Sequence, residues 1–293
     1  MRLAYLGTPA AAVPPLRALA EAGHDIRIVV TQPDKRRGRG GATMPSPVKA
    51  AAVELGLPVS ERVDDVLEAD VELGVVVAFG RLIKPHVLDA VPMVNVHFSL
   101  LPRWRGAAPV ERAILAGDDV TGVCIMQLEE GLDTGPVYAS EHVAITAEDT
   151  VDSLRDRLVD AGTRLLVEQL SKPLGEPEPQ VGEATYAAKI APDELRIDWT
   201  QPAAHVDRVI RLGRSWTTFR GKRLQIVRGR LGDEATSRAD STGSPGTIVG
   251  TSVVCGDSRT VELVEVKPEG RGVQSAKAWA NGARPQPGER LGE

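Results

Sequence analysis

The sequence contains little cysteine and few aromatic residues. Of its 293 residues, two are cysteine and 3% are aromatic. Cys124 and Cys255 each lie inside an apolar run and far apart along the chain, which favours two buried free thiols and excludes a disulfide scaffold. Runs of about 18 apolar residues, as a membrane span requires, are absent, and the first apolar stretch is too short for a signal peptide. We therefore expect a cytoplasmic protein without membrane association.

Motifs for common ligands are also missing from the sequence. No glycine-rich loop carries Gly-Lys-Ser or Gly-Lys-Thr, which excludes a P-loop, and Gly7-Thr8-Pro9 is not the dinucleotide-binding fingerprint. Four of the five histidines are scattered without the spacing of metal ligands, at positions 24, 86, 142 and 205. We therefore expect no metal ion and no nucleotide cofactor bound through these motifs.

The composition is that of a globular protein whose two ends differ in charge. A length of 293 residues with 42% hydrophobic and 26% charged residues suits two folded domains. Residues 1–205 hold 20 Lys and Arg against 30 Asp and Glu, a net charge of −10, whereas residues 206–293 hold 15 against 10, a net charge of +5. A basic module indicates a polyanionic partner such as nucleic acid. Judged by charge alone, an ordinary arginine-rich surface is about equally plausible.

Short apolar runs alternate with helical patterns in the first half of the chain. Strands are predicted at residues 3–6, 26–31, 73–78, 94–97 and 122–128, and helices at 9–22, 48–55, 85–90, 107–115 and 148–170. Ser46 is a suitable N-cap before Pro47, and Thr146 and Asp149 stand in a capping relation. Near-continuously apolar strands separated by helices predict a Rossmann-like α/β domain with an open, mostly parallel sheet, which binds ligands at the carboxyl ends of its strands.

A proline-rich segment at residues 171–180 indicates that the first domain closes there. Short β-rich pieces follow, at residues 224–227, 246–249, 252–255 and 261–266, with glycine and proline between them. This pattern predicts a small, OB-like β-barrel. The domains are therefore expected at residues 1–184 and 204–293, with a linker at 185–203.

Two polar side chains emerge together from one predicted central strand. Asn95 and His97 share a face of that strand because side chains alternate along it. A loop with flanking glycines follows the next strand and carries Asp133, which we expect beside the same sheet edge. An amide and an imidazole suit a developing oxyanion, and a carboxylate can orient the imidazole and relay a proton. The spacing alone leaves a structural explanation about equally open. Asn95 and His97 would then be hydrogen-bonded to backbone at a strand end, and Asp133 would close its own Asx-turn.

Two basic segments flank the predicted catalytic region. One is a glycine- and proline-rich loop with five cations and one acid, Asp34, and the other extends from Asp207 to Arg230 with eight cations against one acid. Phosphate backbones are natural partners for such segments, although a solvated charged face is the alternative for each. We favour nucleic acid because both segments occur in one chain.

The residues themselves resemble a known family, the 10-formyltetrahydrofolate-dependent formyltransferases. The resemblance rests on Asn95-Val96-His97, on Ser99-Leu100-Leu101-Pro102 and on Gly131-Leu132-Asp133-Thr134-Gly135, in this order and spacing. Further segments are similar to the branch of that family that formylates methionyl initiator tRNA, and they cover nearly the whole chain: MRLAYLGTP at 1–9, TQPDKRRGRGGATMPSPVK at 31–49, HFSLLPRWRGAAPVERAI at 97–114 and RIDWTQPAA at 196–204.

The resemblance implies the roles of individual residues. Asn95, His97 and Asp133 correspond to the family's catalytic trio, and the folate-binding loop corresponds to Ser99, Leu100, Leu101 and Pro102. The residues expected to bind tRNA are Lys35, Arg36, Arg37, Arg39, Arg208, Arg211 and Arg214, with Arg39 at the acceptor end. The expected co-substrate is 10-formyltetrahydrofolate, the expected acceptor is the α-amine of methionyl initiator tRNA, and the expected state is a monomer without metal.

Other functions remain open at this point. A related formyltransferase acting on an amino sugar or on a purine precursor is the nearest alternative, although the basic loop and the second module argue against both. A non-catalytic RNA-binding protein is the alternative from another class, and the intact Asn95, His97 and Asp133 argue against it. A nicotinamide-dependent oxidoreductase is more distant because the glycine fingerprint is missing.

Overall fold

The protein forms two compact units in a computed structural model that describes residues 1–36, 43–232 and 243–293. The first unit comprises Met1–Val110, Asp119–Ile145 and Leu154–Ala188, and the second comprises Glu111–Asp118, Thr146–Ser153 and Lys189–Glu293. The domain boundaries predicted at residues 184 and 203 remain a sequence prediction.

The first 188 residues contain eleven described strands and five α-helices. The strands are β1 (Arg2–Gly7), β2 (Asp25–Val30), β3 (Lys35–Arg36), β4 (Thr43–Met44), β5 (Val59–Ser60), β6 (Leu73–Val77), β7 (Met93–His97), β8 (Arg105–Gly106), β9 (Val120–Gln127), β10 (Val137–Ala144) and β11 (Tyr186–Ala187). The α-helices are α1 (Val13–Glu21), α2 (Pro47–Glu54), α3 (Pro85–Ala90), α4 (Pro109–Ala116) and α5 (Val151–Leu170). Short 3₁₀ helices lie at Ala10–Ala12 and Val63–Glu68.

Seven of these strands form one mixed sheet, in the order β10-β9-β7-β6-β1-β2-β5. The five strands from β7 to β5 run parallel, whereas β9 is antiparallel to β7 and β10 is antiparallel to β9. The Rossmann-like, mostly parallel fold is thus confirmed. Strand β10 was not predicted, because its half-exposed alternating residues differ from the buried apolar runs of the central strands.

Both faces of the sheet are covered, which explains the continuous apolar strands. On one face Leu3 and Tyr5 pack in a cluster with Leu16 of α1, and on the other Leu6 packs in a cluster with Val87 of α3. Successive residues of β1 thus point into opposite cores, so neither face can be polar.

Helix starts follow local side-chain chemistry. The Ser46 hydroxyl accepts a hydrogen bond from the Lys49 N–H at 3.0 Å, and Pro47 occupies the first turn of α2, as predicted. The start of α5 was predicted three residues too early. Thr146 and Asp149 do interact, with 2.7 Å from the Thr146 nitrogen to Asp149 Oδ2, but the helix begins only at Val151.

The second unit is built on an antiparallel sheet. Its elements are α6 (Ala203–Arg211), β12 (Trp216–Phe219), β13 (Lys222–Leu231), β14 (Ile248–Val249), β15 (Ser252–Val254), β16 (Thr260–Pro268), β17 (Gln274–Ser275) and α7 (Ala276–Ala283). The strand order is β12-β13-β16-β15-β14, with β17 paired to β16. Trp199, Ile226 and Trp279 belong to its buried core. The second module was predicted as a small, OB-like β-barrel, and the structure confirms a small β-rich domain whose described strands form a six-stranded antiparallel sheet.

Both cysteines are buried and free, as predicted. Burial raises the pKa of the Cys124 thiol to about 11 and that of Cys255 to about 12, so neither is a ready nucleophile at neutral pH. Among the helices of the described residues, none combines the length and the apolar composition that a membrane span requires.

Candidate active site

Strand β7 carries two polar side chains at and near its carboxyl end. It lies between β6 and β9, and His97 is its last residue. Asn95 is half-buried, whereas His97 is only 5% exposed. Because the two residues are separated by one position, their side chains emerge on the same face of β7. The carboxyl end of a central parallel strand is where open α/β sheets bind ligands.

The imidazole of His97 is oriented by a backbone carbonyl. His97 Nε2 lies 3.0 Å from the carbonyl oxygen of Trp104, and since a carbonyl can only accept, Nε2 carries the proton. Trp104 has a left-handed backbone with a φ of 62°. Its N–H donates to the hydroxyl of Thr185 at 2.9 Å, which helps to hold the carbonyl towards the histidine.

The carboxylate of Asp133 faces the other ring nitrogen. Asp133 Oδ2 lies 3.6 Å from His97 Nδ1, and the two side chains are 12% and 6% exposed. The same oxygen accepts the N–H of Gly106 at 2.7 Å, which fixes the carboxylate in place. The structure thus brings His97 and Asp133 together at the carboxyl end of β7.

The route by which Asp133 reaches the histidine differs from the expected one. Since β9 is antiparallel to β7, with Gln127 opposite Val94, the carboxyl end of β9 does not lie beside His97. We expected Asp133 to reach His97 because the two neighbouring strands would end at the same edge of the sheet. Asp133 does lie beside His97, but the expected reason was wrong. The loop at residues 128–136, between two antiparallel strands, carries Asp133 to the histidine instead.

Gly135 of that loop lies close to the chain's own backbone. A Cβ atom on Gly135 would lie 2.0 Å from the carbonyl oxygen of Gln127, so only glycine fits there without a shift of the backbone. In the structure the close approach at Gly135 is to Gln127, which sets the path of the loop towards Asp133.

The loop that follows β7 is tightly tied to itself. Ser99 is fully buried and its hydroxyl donates to the carbonyl of Arg103. Leu101 and Pro102 are joined by a cis peptide bond, and the guanidinium of Arg103 stacks 4.5 Å from the centre of the Trp104 ring. The assignment of Ser99, Leu100, Leu101 and Pro102 to ligand binding remains a prediction.

This arrangement can stabilise negative charge and hold a proton. Asn95 supplies an amide N–H, His97 supplies a ring N–H, and Asp133 supplies a fixed carboxylate beside the ring. Such donors suit a carbonyl oxygen that becomes an oxyanion when a nucleophile adds to its carbon.

Comparison with known proteins identifies the family. The model of the formyl transferase family matches residues 1–170, and that of the formyl transferase C-terminal domain matches residues 189–284. This chain belongs to the formyl transferase family.

Relatives of this formyl transferase match it over nearly its whole length. The methionyl-tRNA formyltransferase of Jannaschia sp. (strain CCS1) is 46% identical over 307 residues, which cover 98% of this chain and 99% of the relative. That of Heliobacterium modesticaldum (strain ATCC 51547 / Ice1) is 44% identical over 316 residues and covers all of both chains. The solved N-formyltransferase from Helicobacter canadensis, in complex with folinic acid and dTDP-3-aminofucose, shares the fold, with a TM-score of 0.68, 16% identity and coverage of 89% and 98%.

Part of the basic loop of this formyl transferase is outside the described residues. Arg37 and Arg39 lie there, and Lys35 and Arg36 are described only through the backbone of β3. At the far end of the loop, Lys49 Nζ is 2.9 Å from Asp34 and 3.2 Å from Glu61, so two carboxylates neutralise this cation. The tRNA contacts predicted for the loop remain predictions.

The arginines of the second unit differ in their surroundings. Arg211 donates from Nε to the carbonyl of Asp149 at 2.6 Å and from Nη2 to that of Thr146 at 2.7 Å. Two nitrogens of the Arg211 guanidinium therefore donate hydrogen bonds inside the second unit. Arg208 approaches the carbonyl of Ala116 at 3.4 Å. Arg214 lies beyond the end of α6 and therefore does not share that helix with Arg208 and Arg211. The RNA contacts of all three arginines remain predictions.

The described residues contain no group of three or more His, Cys, Asp or Glu side chains that could hold a metal ion. The donor set is an amide, an imidazole and a carboxylate, which fits a carbonyl group and an attacking amine.

The hydrogen bonds of Gln180 were not anticipated from the sequence. Its amide contacts both the loop of Asp133 and the side chain of Arg105. No local sequence signal marks this residue, because its partners are 45 to 75 positions away along the chain.

Proposed function

We propose that the protein transfers the formyl group of 10-formyltetrahydrofolate to the α-amine of methionyl initiator tRNA, giving N-formylmethionyl-tRNA for translation initiation. The observation that carries the proposal is the match to methionyl-tRNA formyltransferases at 44% and 46% identity over both modules. The enzyme is thus a one-carbon group transferase, and the folate is its co-substrate.

In the proposed reaction the neutral amine attacks the formyl carbon and negative charge grows on the formyl oxygen. The Asn95 amide and the His97 imidazole donate hydrogen bonds to that oxygen. In the structure the Nε2 proton of His97 rests on the Trp104 carbonyl at 3.0 Å. A developing oxyanion is a stronger acceptor than a neutral carbonyl, so the imidazole gains most when the charge forms.

Asp133 has two proposed tasks. Its carboxylate lies 3.6 Å from His97 Nδ1 and stabilises positive charge on the ring. It also takes part in moving the proton that the amine loses to the folate nitrogen, whose bond to the formyl carbon breaks so that tetrahydrofolate leaves. The hydrogen bond from the Gly106 N–H keeps the carboxylate in a fixed position for both tasks.

The loop from Ser99 to Pro102 is proposed to bind the folate. It begins two residues after His97, so a ligand held by this loop lies next to the ring that must meet the formyl oxygen. The same short connection ties the Trp104 carbonyl to His97, which couples the loop conformation to the orientation of the imidazole.

The tRNA is proposed to bind through its phosphates to the two basic segments. The residues involved are Lys35, Arg36, Arg37 and Arg39 of the loop and Arg208, Arg211 and Arg214 of the second unit, of which Arg211 also serves the unit itself. Cytoplasmic location follows from this substrate, since translation takes place there. A monomer is the proposed state of the enzyme.

The decisive experiment incubates the purified protein with 10-formyltetrahydrofolate and methionyl-tRNA. Uncharged tRNA and an amino-sugar nucleotide serve as controls for the acceptor. Formylation of methionyl-tRNA alone supports the proposal. Formylation of the sugar, or RNA binding without any transfer, would contradict it.

A further inference from the structure

We propose that Gln180 is a positioning residue that holds the loop of Asp133 against the active site. Its amide donates to the carbonyls of Asp133 and Gly135 and accepts from the guanidinium of Arg105. The inference rests on the proposed function, because it gives Asp133 a part in formyl transfer.

The amide of Gln180 uses its full capacity for hydrogen bonds. Nε2 lies 2.8 Å from the carbonyl oxygens of both Asp133 and Gly135. Oε1 accepts from Arg105 Nη2 at 2.7 Å and from Arg105 Nε at 3.1 Å. Two donors and two acceptor sites are all that a glutamine amide offers. Only one orientation of the amide fits, since carbonyls must accept and a guanidinium must donate.

These four bonds join the two backbone segments that define the carboxylate. Asp133 has a left-handed backbone with a φ of 50°, which is uncommon for non-glycine residues although aspartate adopts it more readily than most. Arg105 precedes Gly106, whose N–H donates to Asp133 Oδ2 at 2.7 Å. The Gln180 amide therefore holds the loop that carries the Asp133 carboxylate. It also holds the side chain of Arg105, the residue before the Gly106 N–H that donates to this carboxylate.

Gln180 is itself anchored by the neighbouring backbone. Glu178 and Val137 exchange two backbone hydrogen bonds of 2.8 and 2.9 Å, which fix the chain two residues before Gln180 to the start of β10. Five residues further on, the hydroxyl of Thr185 receives the N–H of Trp104. The stretch of chain from residue 178 to residue 185, which begins in the proline-rich segment, thus contacts both loops of the site.

A change at Gln180 should act through the position of Asp133. Gln180→Leu keeps most of the side-chain volume but removes all four bonds. Gln180→Glu keeps an acceptor for Arg105 but places oxygen against two carbonyl oxygens, which repels the loop. A displacement of about 1 Å at a reacting group can cost about 100-fold in rate.

The test compares both variants in the wild-type and the Asp133→Asn backgrounds, with Gln201→Leu as a control at an exposed glutamine of the second unit. We expect kcat to fall about 10- to 100-fold in each Gln180 variant while KM for folate and for methionyl-tRNA changes less than about threefold. In the Asp133→Asn background the same substitutions should lower kcat no further, because the group they position is gone. Melting curves establish that the variants fold.

The proposal is overturned if both Gln180 variants keep kcat within about twofold of the wild type, or if they cost as much in the Asp133→Asn background, since additivity indicates a general structural role. A measurement without substrate separates this inference from the proposed function. The side-chain nitrogen resonances of His97 should move in the same direction in Gln180→Leu and in Asp133→Asn. Unchanged resonances in Gln180→Leu overturn the positioning role even if the enzyme acts on another acceptor.

Discussion

Asp207 and Arg211 face each other one turn apart on α6, with 4.0 Å between Asp207 Oδ2 and Arg211 Nη1 and side chains only 10% and 13% exposed. Burial raises the pKa of the Asp207 carboxyl from 3.8 to about 6, although Arg211 and then Arg208 pull it back down. Because the folded-state pKa is above the unfolded value, the stability linked to this carboxyl is fully present below pH 3.8 and is lost as the pH rises through about 6.

Asp207→Asn should therefore stabilise the protein at neutral pH. The substitution removes a poorly hydrated charge, and a shift of about two units corresponds to at most about 3 kcal/mol in the free energy of unfolding. Urea unfolding at several pH values between 4 and 7 measures the effect. The gain should be largest at pH 7 and vanish near pH 4, whereas a variant less stable than the wild type at pH 7 would mean that the ion pair outweighs the burial.

Asn95→Ala and His97→Ala should each slow formyl transfer. Loss of one oxyanion donor typically costs about 100- to 1000-fold in rate. Single-turnover formylation of methionyl-tRNA isolates the chemical step. His142→Ala, at an exposed position of β10, is the control and should react normally. Near-normal rates in both test variants would remove these two residues from the mechanism.

Arg39→Ala should weaken the use of tRNA and leave folate binding intact. Removal of a guanidinium that binds a phosphate also makes the salt dependence of tRNA binding shallower. The ratio kcat/KM for methionyl-tRNA, measured at several salt concentrations, tests this beside folate affinity. Lys172→Ala removes an exposed cation of the proline-rich segment at residues 171–180 and should change neither tRNA use nor folate binding much. Equal damage to tRNA and folate binding by Arg39→Ala would indicate that the loop is structural.

Gly135→Ala should destabilise the loop of Asp133. The added Cβ would meet the carbonyl oxygen of Gln127 at 2.0 Å, and overpacking of this kind costs about 1–3 kcal/mol. Gly175→Ala is the matched control, since nothing lies within 4 Å of a Cβ there. Thermal melting of both variants checks the difference. Equal melting temperatures would show that the loop yields without cost.

Local chemistry made much of the fold predictable from the sequence. Ser46 and Pro47 mark the start of α2, and the apolar runs that became β1, β6 and β7 reveal a sheet buried on both faces. The direction of β9 was not readable, because an apolar strand has the same pattern whether it runs parallel or antiparallel. The start of α5 was misplaced because two capping pairs follow one another, Thr146 with Asp149 and Thr150 with Ser153.

The site was predictable only where residues lie close along the chain. Asn95 and His97 share a strand face by simple alternation, so their relation follows from spacing. The pairing of Asp133 with His97 depends on the path of the loop, which involves the contact of Gly135 with Gln127 and the hydrogen bonds of Gln180. These contacts form only in the folded protein and leave no local pattern in the sequence. Likewise Arg211 looked like a free surface cation, but its acceptors are backbone carbonyls more than sixty residues away.

The second compact unit is assembled from three separate pieces of sequence, although the C-terminal family segment starts at residue 189. Arg211 bonds to carbonyls at Thr146 and Asp149, and Arg112 pairs with Glu194 at 3.1 Å. A fragment that begins at residue 189 would contain Arg211 and Glu194 but would lack their partners at Thr146, Asp149 and Arg112. A chimaera that keeps this unit intact would therefore take residues 111–118 and 146–153 from the same parent as the tail.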